Sequence, residues 1–206
     1  MKDSNSDIFV ICGPSGVGKT TLTNLLLSRF AKMGLSVSWT TRKLRAGEIH
    51  GKDYFFVSEA ELNEKVAKRE MLEWANVYGH FYGTPFDFVK EKMAIGEDVL
   101  LDIDVQGAYQ VKKRLPHAVL IFILPPSWEE LKRRLLTRSA DSAQAIKTRL
   151  KAAKKEIELA KNFDYIVINN TLENTLDELE SIIHATKAKA IKHGKMIEEL
   201  IKITPF

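Results

Sequence analysis

Residues 8–12 form a short unbroken apolar run, glycines follow at once, and Leu22, Leu25 and Leu26 then recur at helical spacing. The pattern predicts strand, loop, helix. The alternation resumes after residue 95, with an apolar strand over 99–103, a helix over 105–115 and a second apolar strand over 118–124. Ser127 and Glu130 have the spacing of a capping box, which opens a basic helix running to about Thr137. A very charged helix is expected over 141–161, a last strand over 165–168, and a closing helix over 172–192. Continuous apolar strands alternating with helices imply a parallel sheet covered on both faces.

Between residues 35 and 95 the texture changes. Short aromatic segments (54–57, 74–78, 81–82) are separated by glycines at 47, 51, 79 and 83, while Ser58 and Glu61 are placed to cap one helix. This stretch reads as a small mixed α+β insertion. The expected fold class is therefore α/β, a parallel-sheet core flanked by helices and interrupted once.

At 206 residues, 45% hydrophobic and 28% charged, the chain is long enough for one well-buried domain. Its longest apolar run, 118–124, is too short to cross a bilayer, and the N-terminal stretch has no secretory pattern, so a cytoplasmic location is expected. The single cysteine, Cys12, excludes an intrachain disulfide or a cysteine metal cluster and is expected in the core. A formal charge of +4 favours anionic ligands. The densest basic runs, 112–114 and 132–134, read most simply as solvated helix faces.

Gly13, Pro14, Ser15, Gly16, Val17, Gly18, Lys19 and Thr20 fit the phosphate-loop pattern G-x-x-x-x-G-K-[ST] at every position, between an apolar strand and an amphipathic helix. Glycines let successive N–H groups converge on a phosphate, and the helix N-terminus adds its positive end. Lys19 supplies charge to the β and γ phosphates of a bound ATP, and the Thr20 hydroxyl suits Mg²⁺. The run VLLDID at 99–104 places Asp102 and Asp104 at a strand's C-terminal end, where open parallel sheets bind ligands. Either Asp102 or Asp104 is placed to hold the metal's water shell, and Asp102 is taken as the metal position, through water.

Three further segments carry a resemblance: SVSWTTRKLRAGEIHGKDYFFV at 36–57, LEWANVYGHFYGT at 72–84 and LDIDVQG at 101–107. Together with the phosphate loop they resemble the guanylate kinase family over nearly the whole chain. The resemblance implies a P-loop NTPase core (1–37, 96–126 and 153–206), a GMP-binding insertion (38–95) and a helical lid (127–152). It implies transfer of phosphate from ATP to GMP or dGMP, with Mg²⁺ as cofactor.

Carried over by position, Arg42, Arg45, Tyr54 and Tyr82 are expected to hold the GMP phosphate, and Ser38, Glu73, Gly83, Thr84 and Asp104 to line the rest of the acceptor site. The chemistry agrees, because a phosphate dianion suits arginine forks and phenol donors. Guanine's N1–H and N2–H₂ are adjacent donors that one carboxylate accepts together, and adenine has no N1–H. Arg134, Arg138 and Arg149 resemble lid and catalytic arginines, while Thr21 and Asn169 fall on the ATP side. Arg133 is expected to face solvent and Trp74 to serve packing. The lid departs from the family pattern at Ala143 and Gln144, where an acidic pair is common.

Two other classes fit parts of this pattern. A catalytically silent guanylate kinase-like scaffold module would have a degraded phosphate loop, and Lys19 and Thr20 are intact. A kinase for another phosphorylated acceptor would not need Glu73 beside Arg42, Arg45 and Tyr54. Two anionic substrates account for the positive charge without nucleic acid, and no membrane partner is expected.

Overall fold

The computed structural model describes residues 6–137 and 143–203. Five parallel strands make the larger sheet: β1 (Ile8–Cys12), β2 (Met33–Leu35), β7 (Asp98–Asp102), β8 (Val119–Leu124) and β9 (Tyr165–Ile168), in the order β2-β7-β1-β8-β9. All five residues of central β1 are buried, as a strand covered on both faces requires. On one face Phe9, Ile11, Leu100 and Ile121 pack against α1 (Lys19–Arg29) and α7 (Leu172–Lys187), through Leu22, Leu26, Leu176 and Ile183. On the other, Val10, Leu101, Leu120 and Phe122 meet Val105, Ala108 and Val111 of α4 (Val105–Arg114) and Val89 of α3 (Phe86–Ala94). The crossovers therefore bury the strand periodicity twice, and the C-terminal strand ends are left open to ligand.

A second, four-stranded sheet is mixed: β3 (Trp39–Thr40), β4 (Phe55–Phe56), β5 (Met71–Val77) and β6 (His80–Pro85), in the order β4-β3-β6-β5, with only β3 and β4 parallel. Helix α2 (Glu59–Ala67) lies within this segment, and Ser58 and Glu61 form both halves of its capping box. The small sheet is joined to the core by α4. The Gln110 side chain accepts the Trp74 N–H at 3.2 Å and donates to the Trp74 carbonyl at 2.6 Å, and Arg114 donates to the Met71 carbonyl.

Several expectations need correction. The basic run 112–114 is solvated, as expected, but also bonded: besides the Arg114 contact, Lys112 bonds the Ala118 carbonyl and Asp164 at 2.7 Å. Helix α5 (Trp128–Thr137) has half a capping box. Ser127 accepts the Glu130 N–H at 3.1 Å, but the Glu130 carboxylate is taken by Arg133 and Arg134 instead of returning to the Ser127 amide. The long charged helix is α6 (Ala143–Leu159), followed by a 3-10 turn, and positions 141 and 142 lie outside the described residues. The closing helix stops at Lys187; a 3-10 turn (Ala190–His193) and α8 (Gly194–Ile203) follow. Lys187 and Lys192 pair with the buried Asp98 and Asp7, which draws this segment back along the base of the sheet. Trp74 packs on Phe81 but stays 40% exposed. Neither β2 nor α3 was expected from the pattern.

The β5–β6 hairpin turns on Tyr78 and Gly79, with φ of 53° and 85°. Positive φ at both loop residues is the type I′ geometry, in which asparagine is favoured at the first position and a bulky residue is strained. Tyr78→Asn is expected to raise the melting temperature by about 2 °C in a thermal melt. A lower melting temperature would mean that the tyrosine's packing outweighs the turn strain.

Candidate active site

The phosphate loop folds as its glycines require. Gly18 caps α1 with a φ of 103°, and a Cβ on Gly13 would lie 2.5 Å from the Ile123 carbonyl oxygen. No side chain caps α1 and no acidic residue sits in its first turn, so its leading N–H groups remain available to phosphate. Lys19 lies across the loop, its Nζ donating to the Gly13 carbonyl at 2.6 Å. The loop is also held from behind. Asn169 Nδ2 donates to the Val17 carbonyl at 2.7 Å, and Asn169 Oδ1 accepts from Thr175 at 3.1 Å. Arg134 donates to the Val17 and Asn169 carbonyls at 3.3 and 3.2 Å while Glu130 holds its Nε at 2.7 Å. Arg134 is thus fixed on the loop, unlike the solvated Arg133 beside it. The Asn169 amide is engaged on both atoms within the protein.

An open cavity of about 950 Å³ runs from this loop to the small sheet. It is lined by Gly13, Ser15, Gly16, Gly18, Lys19, Thr20 and Thr21 at one end, by Asp102 and Asp104 on the floor, and by Ser38, Arg45, Tyr54, Glu73 and Tyr82 at the other. Arg134 and Arg149 border it from the helical side. Pro14, Val17, Arg42, Gly83, Thr84 and Asn169 stand behind the lining. Arg138 lies outside the described residues.

Burial dominates the chemistry of the floor. It raises both Asp102 and Asp104, while Lys19 opposes the shift in each. Asp104 also caps α4, accepting the Gly107 N–H at 2.9 Å. Cys12 is fully buried, its thiol donating to the Ile103 carbonyl, and burial pushes its pKa well up. It is a core residue.

Glu73 is the buried acid at the small-sheet end of the cavity, 3% exposed. Burial lifts its pKa to about 7, and the Thr84 hydroxyl, donating to Oε1 at 2.6 Å, opposes that rise. Ser38 and Thr84 place their hydroxyls 3.4 Å apart beside it. A Cβ on Gly107 of α4 would overlap the second carboxylate oxygen, so a larger residue there would push the Glu73 carboxylate aside. One carboxylate face is therefore bonded within the protein, and the acid borders the cavity.

At the opposite edge, the Arg42 guanidinium is 8% exposed and forks onto Glu48, with Nη1 to Oε2 and Nη2 to Oε1 both at 2.8 Å. Its Nε donates to the Tyr82 hydroxyl at 3.2 Å, and its carbon lies 5.4 Å above the Tyr54 ring. Tyr54 meets Tyr82 edge to face at 5.8 Å, and burial raises its pKa to about 12, which keeps it a hydroxyl donor.

Reading the sequence missed several residues of this site, Glu48, Tyr78 and Glu156 among them. Glu48 clamps Arg42, and Tyr78 and Glu156 line the cavity together with Arg149. Glu156 follows Arg149 by seven positions on α6, a helical repeat that places both on one face. Burial raises the Glu156 carboxyl, with Lys19 opposing.

Among the described residues no helix is long and apolar enough to cross a membrane. A family model described as guanylate kinase matches residues 5–186. The guanylate kinase of Dechloromonas aromatica is 44% identical over 199 residues, covering 95% of this chain and 98% of that one. That of Syntrophomonas wolfei is 47% identical over 182 residues, covering 88% and 93%. The crystal structure of guanylate kinase from Anaplasma phagocytophilum superposes with a TM-score of 0.75 at 36% identity, covering 92% of this chain and 90% of that one. With a family model matching most of its length and these relatives in agreement, the chain belongs to the guanylate kinase family.

Proposed function

We propose that this chain transfers the γ-phosphoryl group of ATP to GMP or dGMP, with residues 38–95 as the GMP-binding unit and 127–152 as the lid. The observation that carries this reading is the single cavity joining Lys19 and Thr20 to Glu73, Tyr54 and Tyr82. Gly13 to Thr21 cradle the ATP phosphates through backbone N–H groups. Glu73, as the carboxylate, accepts guanine N1–H and N2–H₂, and Ser38, Thr84 and Asp104 complete that end. Arg42, Arg45, Tyr54 and Tyr82 hold the acceptor phosphate, one of whose oxygens attacks the γ-phosphorus in line while the bond to the β–γ bridging oxygen breaks and ADP leaves.

Positive charge around the moving group comes from Lys19, Arg134, Arg138 and Arg149. No group of three or more acidic, histidine or cysteine residues among those described is placed to hold a metal unaided. The Thr20 hydroxyl and the Asp102 carboxylate are hard oxygen donors that suit Mg²⁺ when nucleotide phosphates supply the remaining ligands. Bound there, Mg²⁺ would neutralise charge on the β and γ phosphates.

A coupled ADP-release assay with ATP, Mg²⁺ and each monophosphate in turn tests the reading. GMP and dGMP should be consumed, and AMP, CMP and UMP should react at least about a thousandfold less efficiently, because none of them offers the buried acid two adjacent donors. Equal turnover of AMP and GMP would sink it.

A further inference from the structure

The residues closest to the acceptor phosphate site include an acid. Glu48 stands between Arg42 and the Arg45 backbone, only partly exposed, in a region where a second negative charge works against a phosphate dianion. Charge attraction therefore does not explain its presence, and its hydrogen bonds do. Oε1 takes Arg42 Nη2, and Oε2 takes both Arg42 Nη1 and the Arg45 N–H, each at 2.8 Å. The second Nη1 proton goes to the Lys43 carbonyl at 2.8 Å, and Nε goes to the Tyr82 hydroxyl. Of the guanidinium's five N–H groups, one on Nη2 is left over.

The consequence falls on Tyr82. Its oxygen accepts from Arg42, so its own proton is the one free to point away, into the cavity that Tyr82 and Arg45 line together. A hydroxyl with no such neighbour could rotate and present a lone pair to the phosphate instead. We infer that Glu48 is a positioning residue: through Arg42 it fixes the Tyr82 hydroxyl as a donor, and through the Arg45 amide it sets the backbone from which that arginine reaches the acceptor phosphate. The inference rests on reading this end of the cavity as the GMP phosphate site. Arg45 lies on the cavity wall, whereas Arg42 is set deeper, bonded to Glu48 and Tyr82, with its remaining Nη2 N–H as its contribution to the phosphate.

Calorimetric titration of the full chain with GMP and with guanosine, which has the base and no phosphate, tests this. Glu48→Gln should weaken GMP by about tenfold or more, the scale of a lost charge-assisted hydrogen bond, while guanosine binding stays within about twofold. The GMP KM should rise in step and the ATP KM should not change. On a Tyr82→Phe background the same substitution should cost clearly less, about threefold or below, since the two act partly through one line of bonds. Glu48→Asp keeps the charge but is too short to fork Arg42 and reach the Arg45 amide together, so it should fall between; it serves as the readout if the glutamine variant melts early. Equal losses for GMP and guanosine, or a full tenfold effect that persists without the Tyr82 hydroxyl, would overturn the inference. A wild-type chain that binds neither ligand would instead overturn the acceptor-site reading beneath it.

Discussion

Replacing Lys19 with alanine should lower kcat by at least about a thousandfold while the protein stays folded. The ammonium lies over the loop at 2.6 Å from the Gly13 carbonyl, and in the proposed reaction it faces the phosphates of ATP, which gather charge as the transferring group loosens. The loop does not depend on it for shape. The Val17 N–H bonds the Pro14 carbonyl at 3.2 Å, and Asn169 and Arg134 both hold the Val17 carbonyl from behind. A thermal melt should therefore move little, and single-turnover kinetics with saturating GMP should show the whole loss. Near-normal turnover would remove the phosphate-loop assignment; a collapsed melting temperature would show that Lys19 is structural.

The second large effect comes from Glu73. Its carboxyl is raised from 4.5 to about 7 by burial, so the unliganded protein holds it protonated in mild acid. If Glu73 accepts the guanine donors as proposed, GMP needs the carboxylate, and binding below pH 7 must release that proton. Affinity should accordingly be flat above pH 7 and fall by about tenfold per pH unit below it, until the bound-state pKa is reached. Guanosine, which has no titrating phosphate, should show the same slope, and Glu73→Gln should abolish the slope along with guanine selectivity.

Stability should run the other way. A carboxyl whose folded pKa lies above its unfolded value stabilises fully below pH 4.5, and that contribution is lost as pH rises through about 7. Above pH 7 the ionised, buried acid costs on the order of 3 kcal/mol. Glu73→Gln should therefore be the more stable protein in chemical denaturation at pH 8 and the inactive one in the assay. A variant that is neither would place Glu73 outside guanine recognition.

The core was legible because its signals are local. The apolar strands and the capping box at Ser58 and Glu61 are set by neighbours in sequence, and the last strand is found at Tyr165–Ile168 as expected. What was not legible depends on distant partners. Nothing near Lys192 in sequence reveals that it bonds the buried Asp7, so the helix was extended too far. The Glu130 carboxylate had two competing donors, Arg133 and Arg134, where the pattern offered only the cap. The strand, loop and helix around the phosphate-loop motif were readable from the motif, and Glu73, singled out by resemblance, is found buried on the cavity. Glu48 was not, because an acid beside an anion site is informative only once its hydrogen bonds are seen.

The amide of Gln110, bonded to both backbone groups of Trp74, occupies the place of a missing neighbour strand. β5 lies at the rim of its sheet, and a rim strand with open N–H and C=O groups is a template on which another chain can grow. Here the template is interrupted midway along the strand by a side chain from a different layer, and Arg114 covers a second carbonyl at Met71. The same helix contacts that orient the acceptor sheet thus also protect it against edge-to-edge aggregation.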